Sequence, residues 1–525
     1  MIDIPRWYNA SELIDRNLEA GRSGKVAVRC GGEEVTYGEL ARRMNRFGSV
    51  LGELGVRQED RVLMVLNDTP AFPVVFFGAM RMGAVPIPVN TLLGAEDYRF
   101  FVEDSRARVV VVDETLYGKV REGLEGYGEP VEVIVANGGV EGRKTLDELL
   151  EGGEDELSPA RTHRDDPAFW LYSSGSTGRP KGAVHLQHDI LYTCETYAKE
   201  VLKVTEEDVT FSASKLFHAY GLGGGLTFAV WAGASTVLYP GKPKPDAVLE
   251  TIERFRPTLF FTVPTLYNAM LNHPGAERYD LSSIRLCASA AEALPPAIWR
   301  RWKETFGSVI LDGIGSTEML HIFLSNTPEK LKPGSSGVPV PGYEVKILDE
   351  EERPVEPGGA GYLYVKGDSA AAYYWRNHEK TKKTMKGEWL FAGDWYRQDE
   401  DGFFWYEGRA DDMIKVGGLW VSPVEIENTL GEHPAVVEAA AVGVPVGGLM
   451  RVKAYVVLRE GREPSEVLVA ELQEWCKGRL KRYQYPHMIE FVEDLPKTVT
   501  GKIQRFKLRE PEPEVEFPQQ EDELV

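Results

Sequence analysis

The sequence has few cysteines and no long apolar run. Its four cysteines are far apart and lack the CxxC or Cys/His spacing of metal sites, so we expect buried thiols in a reducing compartment: Cys30, Cys194, Cys287 and Cys476. The first residues lack the basic and apolar regions of a signal peptide. No apolar run approaches the roughly 18 residues that span a bilayer. The sequence therefore predicts a soluble, cytoplasmic protein.

The sequence also has fewer basic than acidic residues. The chain has 60 basic and 81 acidic residues, a net charge of −21, which repels polyanions. This excludes nucleic acid and anionic membranes as main partners. An anionic small substrate would need local positive charge, so lysines in Gly-rich loops become candidates. The 525 residues, 43% of them hydrophobic and 27% charged, fit a globular chain with a large domain and a smaller one.

Short apolar runs alternate with amphipathic stretches through roughly the first 400 residues. Buried strands are predicted at Val109–Val112, Glu132–Ala136 and Thr258–Val263. Helices are predicted at Tyr37–Leu54 and Lys244–Phe255, where apolar residues recur at helical spacing. This alternation predicts an α/β fold of layered, mostly parallel sheets.

The pattern changes in the last third of the chain. The pattern of Ala360–Tyr406 predicts a β-rich subdomain, which is followed by a compact α+β unit. A capping box at Ser422 and Glu425 indicates where the first helix of this unit begins. The acidic, Pro-rich end lacks apolar anchors and is predicted to be disordered. We therefore expect an N-terminal domain over residues 1–409, a C-terminal domain over 410–510 and a tail over 511–525.

A loop rich in Gly, Ser and Thr follows the apolar run Ala168–Leu171 and reads SSGSTGRPKG from Ser173 to Gly182. Glycines let backbone N–H groups approach phosphates, hydroxyls add donors and Lys181 supplies a cation. The loop lacks the GxxxxGK[ST] pattern of a P-loop and the GxSxG pattern of a hydrolase. On composition alone, an ordinary flexible loop remains the alternative.

Four further segments carry residues suited to nucleotide chemistry. Asp312–Glu318 (DGIGSTE) predicts a Gly-x-Gly turn followed by oxygen ligands for a hard cation. Asp394 and Arg409 have side chains that can bond a sugar or a phosphate. Near the end of the chain, a Thr-Gly turn presents Lys502. Taken singly, each has an ordinary alternative as a surface turn, a salt bridge or a solvated charge.

In this order and spacing, the five segments resemble the signature motifs of the acyl-adenylate-forming superfamily, which includes acyl-CoA synthetases, luciferases and peptide-synthetase adenylation domains. The resemblance covers about Tyr37 to Arg509. It implies that Lys502 is the catalytic lysine, that Thr317 contacts phosphate and that Glu318 holds the metal. It assigns the nucleotide and coenzyme contacts to Ser173, Ser174, Gly175, Ser176, Thr177, Lys181, Ala291, Glu292, Asp312, Gly313, Ile314, Asp394, Arg409, Lys415, Gly417 and Gly418. It implies a hinge at Asp411.

Three other segments are similar, within this superfamily, to the benzoate and hydroxybenzoate CoA ligases: KLFHAYG from Lys215, SAAE from Ser289 and GSTEMLHI from Gly315. The resemblance implies an aryl pocket lined by His218, Ala219, Tyr220, Ala290, Gly315, His321 and Ile322. Small residues beside a Tyr and a His suit a flat ring better than a long chain. His218 departs from the aromatic residue of similar benzoate ligases, which leaves ring selectivity open.

The resemblance therefore implies an ATP-dependent ligase that joins benzoate, or a close aryl acid, to coenzyme A through an acyl-adenylate, with Mg²⁺ as metal. The alternatives are a hydroxybenzoate-CoA ligase and an adenylation enzyme that loads a carrier protein. A non-catalytic nucleotide-binding protein and a P-loop phosphotransferase are rivals of another class. The expected partners are small molecules, with a homodimer left open. No Cys/His or Ser/His/Asp constellation offers a covalent nucleophile.

Overall fold

The computed structural model describes residues 2–173, 179–356, 358–416, 419–446, 449–497 and 503–509. The chain divides into two compact units. The first comprises the residues up to Lys346 with Tyr364–Ala392 and Asp399–Trp405, and the second comprises Ile347–Leu363, Gly393–Gln398 and the residues from Tyr406 onward. The predicted boundary at residue 410 stays a prediction, and the predicted tail lies outside the described residues.

The first unit contains two large sheets and a small one. In the nine-stranded sheet the central strands are parallel and the strands at both edges antiparallel; its order is Val338–Pro339, Ile322–Ser325, Ile310–Gly315, Leu286–Ser289, Leu259–Thr262, Val209–Ser212, Ser235–Val237, Val26–Cys30 and Glu33–Thr36. The five-stranded sheet is parallel throughout: Val85–Pro88, Arg61–Val65, Val109–Asp113, Glu132–Ala136 and Lys144–Thr145. A third sheet is antiparallel: Tyr373–Tyr374, Lys181–Leu186 and Pro167–Ser173.

Helices of this unit include the two predicted from periodicity, at Tyr37–Glu53 and Pro245–Phe255. The others are Glu12–Glu19, Ala71–Arg81, Ala95–Ser105, Tyr117–Gly123, Leu146–Gly152, Asp189–Thr193, Ala219–Leu222, Phe228–Ala232, Pro264–Leu271, Pro296–Phe306 and His378–Thr384. Two π-helical segments, Cys194–Val201 and Gly223–Thr227, widen the helices in which they occur. Aliphatic side chains on the parallel strands are almost completely buried, as expected for sheets covered on both faces.

The predicted β-rich segment Ala360–Tyr406 supplies most of a further sheet, which also includes the preceding strand Glu344–Leu348. The other strands of this sheet are Ala360–Lys366, Met385–Lys386, Trp389–Gln398 and Phe404–Arg409, the last of which ends three residues beyond the predicted segment. The second unit continues with the strands Ile414–Val416, Leu419–Val421, Val436–Val446, Leu449–Leu458 and Met488–Phe491, and the helices Pro423–Gly431 and Glu466–Lys477. The Ser422 hydroxyl caps the first of these helices, whereas the Glu425 carboxylate accepts from Gln484. The α/β fold with a β-rich part and a small C-terminal unit is therefore confirmed.

Two sequence expectations about the whole chain can be compared with the described residues. The four cysteines are free thiols, and all except Cys30 are buried. Cys30, the last residue of the strand Val26–Cys30, is partly exposed. Within the described part of the chain, no helix combines the length and the apolar character needed to cross a membrane.

Candidate active site

The Ser-rich loop connects two antiparallel strands of a hairpin. Ser173 ends the first strand, Lys181 begins the second, and the two residues are register partners. The hairpin therefore fixes both ends of the loop, which differs from a P-loop, where a helix follows the phosphate-binding residues. The four predicted contacts within the loop lie outside the described residues: Ser174, Gly175, Ser176 and Thr177.

Glu318, the predicted metal ligand, lies beside the ends of this hairpin. Its Oε1 accepts a hydrogen bond from the Ser173 hydroxyl at 3.1 Å and one from the Tyr374 hydroxyl at 2.7 Å. The ammonium of Lys181 lies 5.5 Å from the centre of the Tyr374 ring, which is within cation–π range. Tyr374 thus joins the three predicted residues, and sequence reasoning missed it because no motif marks a lone tyrosine.

Three successive carbonyls of the turn after the strand Ile310–Gly315 are held by separate donors. Leu320 in this turn has φ of +64°, a left-handed conformation that is uncommon for a branched side chain. The three hydrogen bonds to these carbonyls hold the backbone that presents Thr317 and Glu318. They run from His185 Nε2 to the Thr317 carbonyl at 2.8 Å, from Ala371 N to the Glu318 carbonyl at 2.7 Å and from Ser369 Oγ to the Met319 carbonyl at 2.9 Å.

The predicted Gly-x-Gly turn at residues 313–315 is wrong, because these residues belong to a β-strand. A Cβ on Gly313 would lie 2.6 Å from the Leu324 carbonyl oxygen, and one on Gly315 would lie 2.6 Å from the carbonyl carbon of His321. The glycines therefore let the antiparallel strand Ile322–Ser325 approach closely. Ile314, between them, is partly exposed.

Asp312 lies within the strand Ile310–Gly315, and the Ser289–Glu292 segment begins at the last residue of the neighbouring parallel strand, Leu286–Ser289. Burial raises the pKa of the Asp312 carboxyl to about 7. Ala290 is buried, whereas Ala291 is exposed and has φ of +76°, a conformation that alanine rarely adopts. Glu292 accepts a hydrogen bond from the Thr265 hydroxyl at 2.7 Å. Backbone strain at such a position is typical of functional sites.

The predicted acid pocket is an aromatic cluster around His321. Its Nε2 lies 3.3 Å from the Tyr220 carbonyl, and its ring centre lies 5.6 Å from that of Tyr220. The Tyr220 hydroxyl donates to the Ala288 carbonyl at 2.8 Å, so the side chain is fixed at both ends. Burial lowers the pKa of His321 to about 3, so the ring is neutral near pH 7.

Tyr197 and Phe228 also line this cluster, with ring centres 5.1 and 4.6 Å from that of His321. Sequence reasoning missed both, because buried aromatic residues on helices look like ordinary core. Ala219 and Ile322 are buried, and His218 is partly exposed, with its ring 4.6 Å from that of Phe217. In the first unit, the predicted nucleotide-binding residues and the residues predicted to bind the aryl acid therefore lie on adjoining segments.

The second unit pairs Asp394 with Arg409. Arg409 Nη1 donates to Asp394 Oδ1 at 2.9 Å, from the end of the strand Phe404–Arg409 to the middle of Trp389–Gln398. The charge of Asp394 raises the pKa of the Arg409 guanidinium above its usual value. Asp394 is nearly buried and Arg409 is half-exposed. The pair places a carboxylate and a guanidinium side by side, and both groups can form charge-assisted hydrogen bonds.

The predicted hinge residue Asp411 lies in a short 3₁₀ segment, Ala410–Asp412. Its carbonyl accepts from Arg509 Nη1 at 2.9 Å, and Arg505 Nη1 lies 3.4 Å from the neighbouring Asp412 carboxylate. Lys415 is half-exposed over the ring of Trp420. The remaining predicted residues of this unit lie outside the described residues: Gly417, Gly418 and Lys502.

No cluster of three or more His, Cys, Asp or Glu side chains suited to a metal occurs among the described residues. Glu318 is a single carboxylate, which accepts hydrogen bonds from the Ser173 and Tyr374 hydroxyls. This donor set fits Mg²⁺, which is commonly held by one or two carboxylates together with substrate phosphates. It does not fit a metal that requires a cage of protein ligands.

The sequence matches two family profiles, described as AMP-binding enzyme over residues 15–375 and as AMP-binding enzyme C-terminal domain over residues 425–502. The first covers well over half of the chain. This chain belongs to the AMP-binding enzyme family. The matched region contains the Ser-rich hairpin, the Glu318 turn and the His321 cluster, so the geometry above is that of an AMP-binding enzyme.

Several AMP-binding enzymes resemble this chain over nearly its full length. A benzoate–CoA ligase of Thauera aromatica is 48% identical over 97% of both chains. The crystal structure of a benzoate CoA ligase from Burkholderia xenovorans LB400 has a TM-score of 0.89 and 46% identity, covering 96% of this chain and all of that one. An anthranilate CoA ligase in complex with anthranoyl-AMP has a TM-score of 0.92 and 42% identity, covering 96% of this chain and 97% of that one.

Proposed function

We propose that this protein is an AMP-forming aryl carboxylate–CoA ligase that acts on benzoate or a close analogue. One observation carries the proposal: a single turn, residues 316–321, joins the Thr317–Glu318 pair to the aromatic cluster of His321. Nucleotide-binding and ring-binding groups are thus built on adjoining residues. The names of the relatives, at 46–48% identity, support the same acid class.

The nucleotide side would use Ser173, Lys181 and Thr317 for the phosphates. Lys181 supplies the positive charge that an overall acidic protein needs near a polyphosphate. Mg²⁺, held by Glu318 and the phosphates, would supply further neutralisation of charge. The resemblance assigns the adenine contacts to Ile314 and the ribose contacts to Asp394 and Arg409.

The acid side is enclosed by rings and small residues. His321 is neutral, and Tyr220 uses its hydroxyl within the protein, so neither carries a charge into the pocket. Such a lining favours a flat apolar ring, whose carboxylate would remain at the nucleotide side.

Two displacements account for the overall reaction. In the first, a carboxylate oxygen of the acid bonds to the α-phosphorus of ATP, and the bond to the β-phosphate oxygen breaks to release pyrophosphate. The charge of Lys502 would lower the repulsion between the two anions most strongly in the transition state. In the second, the CoA thiolate bonds to the acyl carbon, and the acyl–oxygen bond breaks to release AMP. No protein nucleophile is required.

Pyrophosphate–ATP exchange that depends on a carboxylic acid tests the first displacement. We would assay benzoate, the hydroxybenzoates, 2-aminobenzoate and phenylacetate, and then measure the CoA thioester of each. Lys502→Ala should abolish most of the exchange, because removing a transition-state charge costs several kcal/mol. Lys507→Ala is the matched control, since Lys507 is an exposed lysine in the same part of the sequence. Exchange that occurs without an added acid, or no exchange with any acid of the panel, would refute the proposal.

Hydroxy- or aminobenzoate is a second candidate substrate class, and the observation that favours it concerns the Nδ1 atom of His321. Because a carbonyl only accepts, His321 Nε2 donates to Tyr220, which leaves Nδ1 as an acceptor. Among the described residues this Nδ1 is buried and has no hydrogen-bond partner. A hydroxyl or amino group on the ring could satisfy it. A kcat/KM for benzoate above those for the substituted acids would exclude this candidate.

Transfer to a carrier protein is the remaining alternative for the second displacement. The same assay decides it, because formation of free CoA thioester at a rate matching pyrophosphate release requires CoA as acceptor. Acyl-adenylate that accumulates in the presence of CoA would instead favour a carrier protein.

A further inference from the structure

A histidine and an aspartate are completely buried next to the turn that carries Thr317. His185 belongs to the strand Lys181–Leu186, and Asp189 is the first residue of the helix Asp189–Thr193. Both side chains have 0% exposure, and His185 Nδ1 lies 2.7 Å from Asp189 Oδ2. Burying two ionisable groups costs free energy unless their bonds compensate for it. The family motifs named above assign no role to either His185 or Asp189.

The orientation of the His185 ring is fixed from two sides. Asp189 Oδ2 also accepts from the backbone N–H of Leu186 at 3.1 Å, which holds the carboxylate in place. The Phe169 ring stacks on the imidazole with a centre distance of 5.1 Å and an interplanar angle of 18°. The other ring nitrogen, Nε2, therefore points in one direction, and it meets the Thr317 carbonyl at 2.8 Å.

This contact links the two sides of the predicted phosphate site. His185 lies four residues after Lys181 on one strand, and side chains at that spacing share a face of the strand. Thr317 lies 132 residues further along the chain. The hydrogen bond between His185 and Thr317 thus connects the Lys181 strand directly to the backbone of the Thr317–Glu318 turn.

We propose that His185, oriented by Asp189, is a positioning residue for adenylate formation, which fixes the Thr317 backbone relative to Lys181. The inference rests on the proposed function, because that function gives Thr317 and Lys181 their common ligand. His185 itself contacts no reacting group. Its effect is exerted on ATP, through the placement of Thr317 and Glu318.

Two substitutions of His185 separate its two hydrogen bonds. The amide nitrogen of Asn occupies nearly the place of Nδ1, and that of Gln nearly the place of Nε2. His185→Asn therefore keeps the bond to Asp189 and loses the bond to Thr317, whereas His185→Gln does the reverse. Both variants lose one buried bond, and His185→Gln should have the lower melting temperature, because it leaves the buried Asp189 carboxylate without its histidine partner. A purely structural role would therefore lower activity at least as much in His185→Gln as in His185→Asn.

The measurements are the kcat/KM for ATP in benzoate-dependent pyrophosphate exchange and the Kd for ATP by calorimetry. For His185→Asn we expect a loss in kcat/KM of about 10- to 100-fold, as misplacement of a binding group produces, and a higher Kd. His185→Gln should remain close to wild type in both. Conversion of supplied benzoyl-adenylate to benzoyl-CoA should be unaffected in either variant, because that step no longer involves the β- and γ-phosphates.

Equal losses in the two variants, or no loss in His185→Asn, would overturn the inference. If the His185 variants do not fold, Asp189→Asn, which preserves shape, should lower exchange more than thioester formation; equal losses would overturn it. A wild-type protein without benzoate-dependent exchange would refute the proposed function instead. The ATP calorimetry would then still decide the role of His185, because it requires no acid.

Discussion

Replacing Gly223 by alanine should damage the proposed acid pocket without affecting the proposed nucleotide site. Gly223 begins the π-helical segment Gly223–Thr227 and has φ of −64°, so alanine fits the backbone there. Its added Cβ would lie 2.7 Å from His321 Nε2 and 3.0 Å from Phe228 Cζ. Because ordinary carbon contacts are about 3.5 Å, the His321 ring must shift by roughly 1 Å.

The expected cost has two parts. Overpacking a filled core costs about 1–3 kcal/mol of stability, which a lower melting temperature would report. Displacing a substrate-contacting group by roughly 1 Å can cost about 100-fold in rate, so kcat/KM for benzoate should fall by 10- to 100-fold. The KM for ATP should stay near wild type, because Glu318 is held by Ser173 and Tyr374.

Gly225→Ala is the matched control. It lies in the same π-helical segment, and its Cβ would meet Leu216 Cδ2 at 3.0 Å and Ser212 Cβ at 3.1 Å. It should therefore lower stability without an acid-specific defect. Steady-state kinetics with benzoate and with ATP, alongside thermal melts, measure both variants. Equal increases in the KM for benzoate and the KM for ATP in Gly223→Ala, or an unchanged kcat/KM for benzoate, would refute the placement of His321 in the acid pocket.

Three further outcomes are expected. The carboxyl of Asp312 ionises near pH 4 when unfolded but near pH 7 when folded, so its contribution to stability falls as pH rises through that window; Asp312→Asn should gain melting temperature relative to wild type between pH 5 and pH 7.5, and a constant difference would contradict this. Tyr374→Phe removes the 2.7 Å bond to Glu318 and should raise the KM for Mg-ATP by about tenfold with an unchanged KM for the acid, whereas equal changes in both would count against it. Asp411→Pro fixes φ near −65° and should retain benzoyl-adenylate formation but lose conversion of supplied adenylate to thioester; equal losses in the two half-reactions would remove the hinge from the mechanism.

Local patterns were enough to predict the elements and the fold class. The run at residues 109–112 is a buried parallel strand, and the periodic stretch from Tyr37 is a helix that ends one residue before the predicted end. Such elements depend on the alternation of apolar and polar residues over a few turns or pleats, which the sequence displays directly. The motif resemblance likewise identified the family, because each motif is a continuous segment.

The glycines at 313 and 315 show where local interpretation stops. In sequence, Gly-x-Gly indicates a turn, because glycine tolerates unusual dihedral angles. In the structure both residues are extended, and the absent Cβ atoms leave room for the backbone of residues 321–325. Which of the two properties of glycine is used depends on what packs against it, and that is decided by strand pairing.

The contacts that complete the candidate site join residues that are far apart in the chain. Tyr374 lies 56 residues from Glu318, His321 lies 101 residues from Tyr220, and His185 lies 132 residues from Thr317. No local pattern encodes such pairs, because a tyrosine or a histidine on an apolar face looks the same whether it is core or site. The sequence by itself determined the strands, the helices and the motif-bearing segments. Only the tertiary structure decided which polar groups meet, because burial and hydrogen bonding between distant segments are properties of the packed chain.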